Sequence, residues 1–204
     1  MLRISVINMN KADYYIRVVF LIVSLSFMLL IGCGKTGKAD LDLPIKAIKW
    51  GSSQEDAVKA LGTAKEEITQ EGLTQLLWSD TRIWNEKASL LLRFDTAADN
   101  GLFYAGITFP ELNEEKLVQH MKKEYGEPVR KDGNIYIWEN KSVGDLPDTM
   151  QDQVKQALLG DSSEIQEGIW NTILKEPLVR ISLQGNKLLY DAEHMALVRK
   201  LESN

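Results

Sequence analysis

The sequence predicts an α+β fold made of two duplicated units, each a helix followed by a three-stranded antiparallel sheet, with the helices packed on one side of the sheet. Three observations predict it. An amphipathic helix signal occurs twice, over residues 52–62 and 113–126, opened each time by a capping residue and closed by glycine. Each signal is followed by short apolar runs bounded by turn residues, as strands are. A tryptophan, first Trp78 and then Trp138, falls in the first strand of each set.

The chain opens with Arg3, Lys11 and Arg17, then an almost wholly apolar stretch over 18–31, broken by Ser24 and Ser26. At about 14 residues this stretch is short for a bilayer span, which needs roughly 20, and right for a secretory leader. It closes on Leu30-Ile31-Gly32-Cys33, a small residue followed by the single cysteine. That arrangement resembles a bacterial lipoprotein signal. The resemblance implies that residues 1–32 are removed, that the Cys33 thiol is lipidated, and that the lipid ties the mature chain to the cell envelope. Met9, followed by Asn10 and Lys11, gives a more ordinary leader length than Met1 and is the expected start. By the same resemblance an Asp after the cysteine would signal inner-membrane retention; Gly34 there allows the outer membrane of a two-membrane cell, or otherwise the outer face of the cell membrane. An uncleaved anchor helix, with Cys33 a bystander, is the alternative. Residues 33–44 read as a flexible tether, rich in Gly, Lys and Asp, and the fold is expected to begin near Ile45.

The first unit, 45–110, begins with Ser52 and Glu55 as a capping box; Ala57, Val58 and Leu61 share one face, and Gly62 stops the helix. Strands follow around Leu76-Leu77-Trp78, over 89–94 and over 102–109, the last with Phe103, Ala105, Ile107 and Phe109 on one side. Asp99-Asn100-Gly101 supplies a turn. The second unit, 111–204, opens at Asn113, a good N-cap, with Leu112 and Leu117 placed as a hydrophobic staple. Leu117, Val118, Met121 and Tyr125 share a face before Gly126 and Pro128. Strands are expected over 134–139, 178–183 and 187–190, and a last helix, capped by Asp191, presents Met195, Val198 and Leu201 to the core. An acidic insertion, 141–176, interrupts the unit and carries an apolar cluster around Trp170. It reads either as a decorated hairpin loop packing Trp170 on the sheet or as a partner-binding lobe.

The segment Gly51-Ser52-Ser53-Gln54-Glu55-Asp56-Ala57-Val58-Lys59-Ala60-Leu61-Gly62 resembles the opening helix of SmpA/OmlA-type (BamE-like) small lipoproteins. Those share a fold with β-lactamase inhibitor proteins, in which a helix-and-sheet unit is duplicated. The match covers roughly 50–140, and 178–190 weakly. This chain has Gly51-Ser52-Ser53 where the family usually has Gly-Met-Thr, and it adds the insertion. The resemblance implies a non-enzymatic protein-binding lipoprotein, serving envelope assembly or enzyme inhibition.

Composition limits the partners. The formal net charge is −5, and because the first 32 residues hold three positives and one negative, the mature part carries about −7. Such an acidic chain disfavours nucleic acid. Once Cys33 is modified no thiol remains for a disulfide or a thiolate metal site. The two histidines, His120 and His194, lie in different helices, and no nucleophile elbow, zinc-protease or Walker motif is present. Gly34-Lys35-Thr36 lacks the earlier glycine of a phosphate loop. The expectation is therefore no enzyme, no cofactor and no metal, with the membrane (through Cys33) and an envelope protein as partners; the sequence leaves the oligomeric state open. A lipoprotein binding a small ligand or cell-wall fragment, or a carboxylate-dependent hydrolase, are the alternatives. Candidate partner-binding residues are Trp84, expected to be exposed in a polar loop, Trp138 and Trp170; filling the core is the alternative for all three.

Overall fold

The computed structural model describes residues 41–160 and 164–203. The leader, Cys33 and the tether up to residue 40 lie outside the described residues. Eight strands form one antiparallel sheet: β1 (Glu66–Gln70), β2 (Leu73–Ile83), β3 (Glu86–Asp95), β4 (Gly101–Thr108), β5 (Arg130–Asp132), β6 (Ile135–Glu139), β7 (Arg180–Gln184) and β8 (Lys187–Asp191). Their spatial order is β1-β2-β3-β4-β8-β7-β6-β5. The described residues also form five α-helices: α1 (Gln54–Leu61), α2 (Glu114–Tyr125), α3 (Asp148–Leu159), α4 (Glu164–Ile173) and α5 (Glu193–Ser203).

The chain thus runs twice through a helix followed by four strands, and the two meanders meet along β4 and β8. The expected three-stranded units are too small. The strands absent from that expectation are β1 and β5, the two outer ones, and every residue of both is exposed. A strand with no buried face shows no alternation, so periodicity cannot reveal it. Their charges, Glu66 and Glu67 in β1 and Arg130, Lys131 and Asp132 in β5, also discourage pairing with another chain's edge.

One face of the sheet is the core. Leu76 and Trp78, Leu90 and Leu92, Ala105 and Ile107, Leu188 and Tyr190, Ile181 and Leu183, and Trp138 are all buried and lie side by side across the register. Helix α5 packs on β4 and α2 on β7, with α3 against α5. Burying this much apolar surface is the dominant favourable term of the fold.

Two indole rings fasten helix ends to the sheet. Trp78 Nε1 donates to the carbonyl of Gly62, just past α1 (3.0 Å), and Trp138 Nε1 donates to the carbonyl of Gly126, just past α2 (2.9 Å). Each bond satisfies a carbonyl that the helix leaves without an internal partner.

Local chemistry departs from the sequence reading at three places, and the insertion follows the reading that packs Trp170 into the fold. The capping box of α1 is Ser53 with Asp56, and Ser52 Oγ instead accepts from the Lys49 amide. In β4 a bulge opposite Arg93 and Phe94 puts Leu102, not Phe103, into the core and turns Phe103 outward. Gly101 beside it must be glycine: its φ is +70°, and a Cβ there would stand 2.3 Å from the Gly51 carbonyl. The fold begins before Ile45, because Leu41 and Leu43 are buried, the Leu41 carbonyl accepts from Trp50 Nε1 (3.1 Å) and the Asp42 carbonyl accepts from Tyr125 Oη (2.7 Å). The insertion joins the core through Val143, Leu146, Val154 and Trp170 and is stitched by Val143 N–H to the Glu176 carbonyl (3.0 Å) and Gly144 N–H to the Leu174 carbonyl (2.9 Å).

Candidate interaction face

Alternation sends every second side chain of the sheet away from the helices. One register row crosses all eight strands on that open face: Arg130, Ile137, Ser182, Leu189, Gly106, Leu91, Leu77 and Glu66. Its middle is apolar or small and its ends are charged. Leu189 is 42% exposed, and on the same face Leu73 is 47% and Ile68 54% exposed, so half of the large exposed apolar side chains among the described residues stand here. An apolar patch on an open sheet with a charged rim has the make-up of a contact surface. Ile137 is shielded on this face, apart from the main core.

The neighbouring row is polar and ordered: Glu139, Arg180, Asp191, Tyr104, Arg93 and Gln75. Arg180 Nε bonds Glu139 (2.7 Å) and its Nη2 bonds Glu176 (3.1 Å). Partial burial pushes the Arg180 guanidinium down, but the two carboxylates outweigh it and hold its pKa above the ordinary arginine value. Arg93 lies 4.7 Å over the Tyr104 ring and donates to Gln75 Oε1 (3.1 Å). Ile68, Leu73, Arg93 and the outward Phe103 line an open depression of about 370 Å³.

Gly106 sits at the centre of this face. A Cβ placed there would meet Leu189, Tyr104 and Leu91 at 3.7–3.9 Å, ordinary van der Waals distance, and the backbone needs no positive φ. The fold does not require glycine, yet glycine weakens a strand interior by roughly 0.5–1 kcal/mol. Its effect is a notch beside a projecting leucine. Glycine inside a strand goes with a bulge, a tight bend or close approach by another group, and the ladder has no register shift at Gly106.

The tryptophans expected at a partner surface are placed elsewhere. Trp138 is buried at 2% exposure and spends its indole N–H on Gly126. Trp170 is buried in the insertion's core, with Lys155 Nζ 6.0 Å above its ring. Trp84 is half-buried rather than exposed: it stacks on Phe109 (5.4 Å between centroids, 4°) and on His120 (5.2 Å, 1°). Trp84 and Asn85 form the two-residue turn between β2 and β3 with φ of 54° and 66°, a left-handed conformation uncommon for a large side chain, and the stacking offsets that strain. Cys33 lies outside the described residues.

The face's own residues left one trace in the sequence. Leu90-Leu91-Leu92 and Leu188-Leu189 carry leucine where alternation on a half-solvated sheet calls for a polar residue.

The chemistry elsewhere is sparse. Among the described residues no group of three or more His, Cys, Asp and Glu stands close enough to hold a metal ion. His194 lines a depression of about 330 Å³ between α3 and α5 with Leu158, Leu197 and Lys200, where the Lys200 ammonium bonds the Ala98 carbonyl. Among the described residues no helix is long and apolar enough to cross a membrane. No protein-family model matches the chain, and neither a curated protein nor a solved structure matches it significantly.

Proposed function

We propose that this chain is a lipid-anchored, non-enzymatic lipoprotein of the bacterial cell envelope that binds protein through the open face of its sheet. The observation that carries the reading is the apolar row that no described helix covers, with Leu189, Leu77 and Leu91 around Gly106, rimmed by Arg93, Arg180 and Glu66. A protein surface fits it better than a small molecule, since the depression beside it is open rather than enclosing. The BamE-like resemblance agrees with this reading, as does descent of the two halves from one duplicated helix-and-sheet unit, to which the paired Trp78–Gly62 and Trp138–Gly126 bonds lend support.

The anchor adds a constraint. Eight residue steps separate Cys33 from Leu41, the first buried position among the described residues, so a lipid on Cys33 would hold Leu41 within about 28 Å of the bilayer surface. A partner is therefore another membrane-proximal protein.

A photo-crosslinking side chain placed at Leu189 or Tyr104 in the full chain, expressed in its native membranes, tests the reading. Adducts carrying a polypeptide are expected from these positions and not from Glu115 on the outer side of α2. Absence of polypeptide adducts at both open-face positions overturns it. Mass spectrometry of the same protein is expected to find residues 1–32 absent and acyl chains on Cys33; an intact leader with a bare thiol overturns the anchor.

A further inference from the structure

The open face is complementary to itself. The sheet's two halves are related by an approximate two-fold axis normal to the sheet and passing through the paired Gly106 and Leu189. Four pairs in the central row occupy equivalent places: Gly106 with Leu189, Leu91 with Ser182, Leu77 with Ile137, and Glu66 with Arg130. Three of the four are opposites. A glycine answers a leucine, a leucine answers a serine, and a carboxylate answers a guanidinium. The fourth pairs two apolar side chains.

From this we propose that the occupant of the open face is a second copy of the chain, docked sheet to sheet about a two-fold axis parallel to the strands. The inference rests on the protein-binding reading above and names its partner. Such an axis lays β4 over β8 of the other copy and each residue of the central row over its equivalent. Leu189 of each copy then enters the Gly106 notch of the other, twice by symmetry, as an isologous interface requires. Leu91 lies over Ser182 of the other copy, Leu77 over the already shielded Ile137, and Glu66 over Arg130, which Asp132 and Glu139 of its own copy also bond, at both ends. In the polar row Arg93 comes to Arg180 of the other copy, which Glu139 and Glu176 already neutralise, while Tyr104 comes to Asp191.

The place where the chain joins the fold agrees with this arrangement. Leu41 is held by Trp50, and the Gly51 amide donates to the Leu102 carbonyl (2.9 Å), so the chain arrives at the Leu102 end of the strands. An axis along the strands keeps that end on the same side in both copies. Two lipids on two Cys33 residues can then insert into one bilayer. An axis perpendicular to the strands would point the two tethers in opposite directions.

The full lipidated chain, purified in detergent, provides the test through its protein mass by light scattering corrected for the micelle. The wild type is expected at the mass of two copies. Gly106→Leu sets leucine against Leu189 of the other copy, and Leu189→Gly leaves two notches facing; each is expected to weaken self-association at least about tenfold. The exchange variant carrying both substitutions restores knob and notch and is expected to recover the dimer. Melting by circular dichroism, cooperative in all three variants, separates loss of the interface from loss of the fold. A wild type with the mass of one copy overturns the proposal, as does a dimer that Gly106→Leu leaves intact or that the exchange fails to recover. A single-copy mass beside crosslinks from Leu189 to a different polypeptide would sink the self-pairing alone and leave the protein-binding reading standing; absence of every polypeptide adduct would sink both.

Discussion

In the first half of the molecule β2 turns into β3 through two residues, Trp84 and Asn85; in the second half the equivalent connection, from β6 to β7, runs over 140–179 and contains α3 and α4. The frame around both is the same, a helix whose terminal glycine carbonyl is gripped by a strand tryptophan. The comparison teaches that the frame is fixed by helix-to-sheet bonds and not by connection length. Lengthening a loop is itself cheap, about 0.6 kcal/mol per doubling, but ordering its residues costs far more and must be offset by packing. The short turn packs Trp84 between Phe109 and His120; the long one buries Val143, Val154 and Trp170.

The strongest way to break this comparison is to remove the long connection. Replacing 141–176 by a short linker would make the second half resemble the first. If the insertion were decoration, the protein would melt as before. Because Val143 and Val154 are wholly buried and α3 packs on α5, loss of cooperative thermal unfolding is expected, read by calorimetry. A deletion variant that still melts in one sharp transition would show that the sheet and its helices fold without the lobe.

A smaller effect sharpens the likeness instead. Trp78→Phe and Trp138→Phe each remove an indole N–H and leave a glycine carbonyl short of a partner, with a gap beside the smaller ring. Each is expected to cost about 1.5–3 kcal/mol in urea unfolding. Trp138, the more deeply buried, should sit at the upper end. A negligible cost at one site and a full cost at the other would mean that only one half uses the bond to hold its helix.

Much of this frame was legible in the sequence, and the reasons for the remainder are specific. Both helices, their closing glycines and six strands follow from capping chemistry and alternation, because those residues answer to a buried face. β1 and β5 were illegible because nothing on them is buried. Phe103 misled because a bulge shifts the pleat by one residue, and a bulge breaks the period without leaving a motif. Trp84 misled because its polar neighbours in sequence are not its neighbours in space. The open face was the least legible part, since what defines it is the register that lines up Gly106, Leu189, Leu91 and Leu77 from four strands. Register depends on turns and bulges along the whole sheet, not on any local run.

The smallest expected effect lies where the halves differ in polarity inside the core. At the places where the first half has Leu61 and Ile107, the second has Tyr125 and Tyr190. Burial pushes both phenols above their ordinary value; Tyr125 raises Tyr190 further, while Tyr190 partly offsets the rise at Tyr125. The Tyr190 hydroxyl makes no well-formed hydrogen bond. A raised acid in the folded state means that the unfolded chain releases protons first, so stability is full below about pH 10 and falls as pH climbs above it, by up to about 1.4 kcal/mol per pH unit for each tyrosine. Tyr190→Phe keeps the ring and removes the lone hydroxyl. At pH 7 it is expected to be close to neutral, because the hydroxyl it removes is buried and has only a poorly formed contact with Tyr125. Above pH 10 it should flatten the decline. Urea midpoints at pH 7, 10 and 11 measure both effects, and an unchanged alkaline slope would show that Tyr190 is not among the groups that set it.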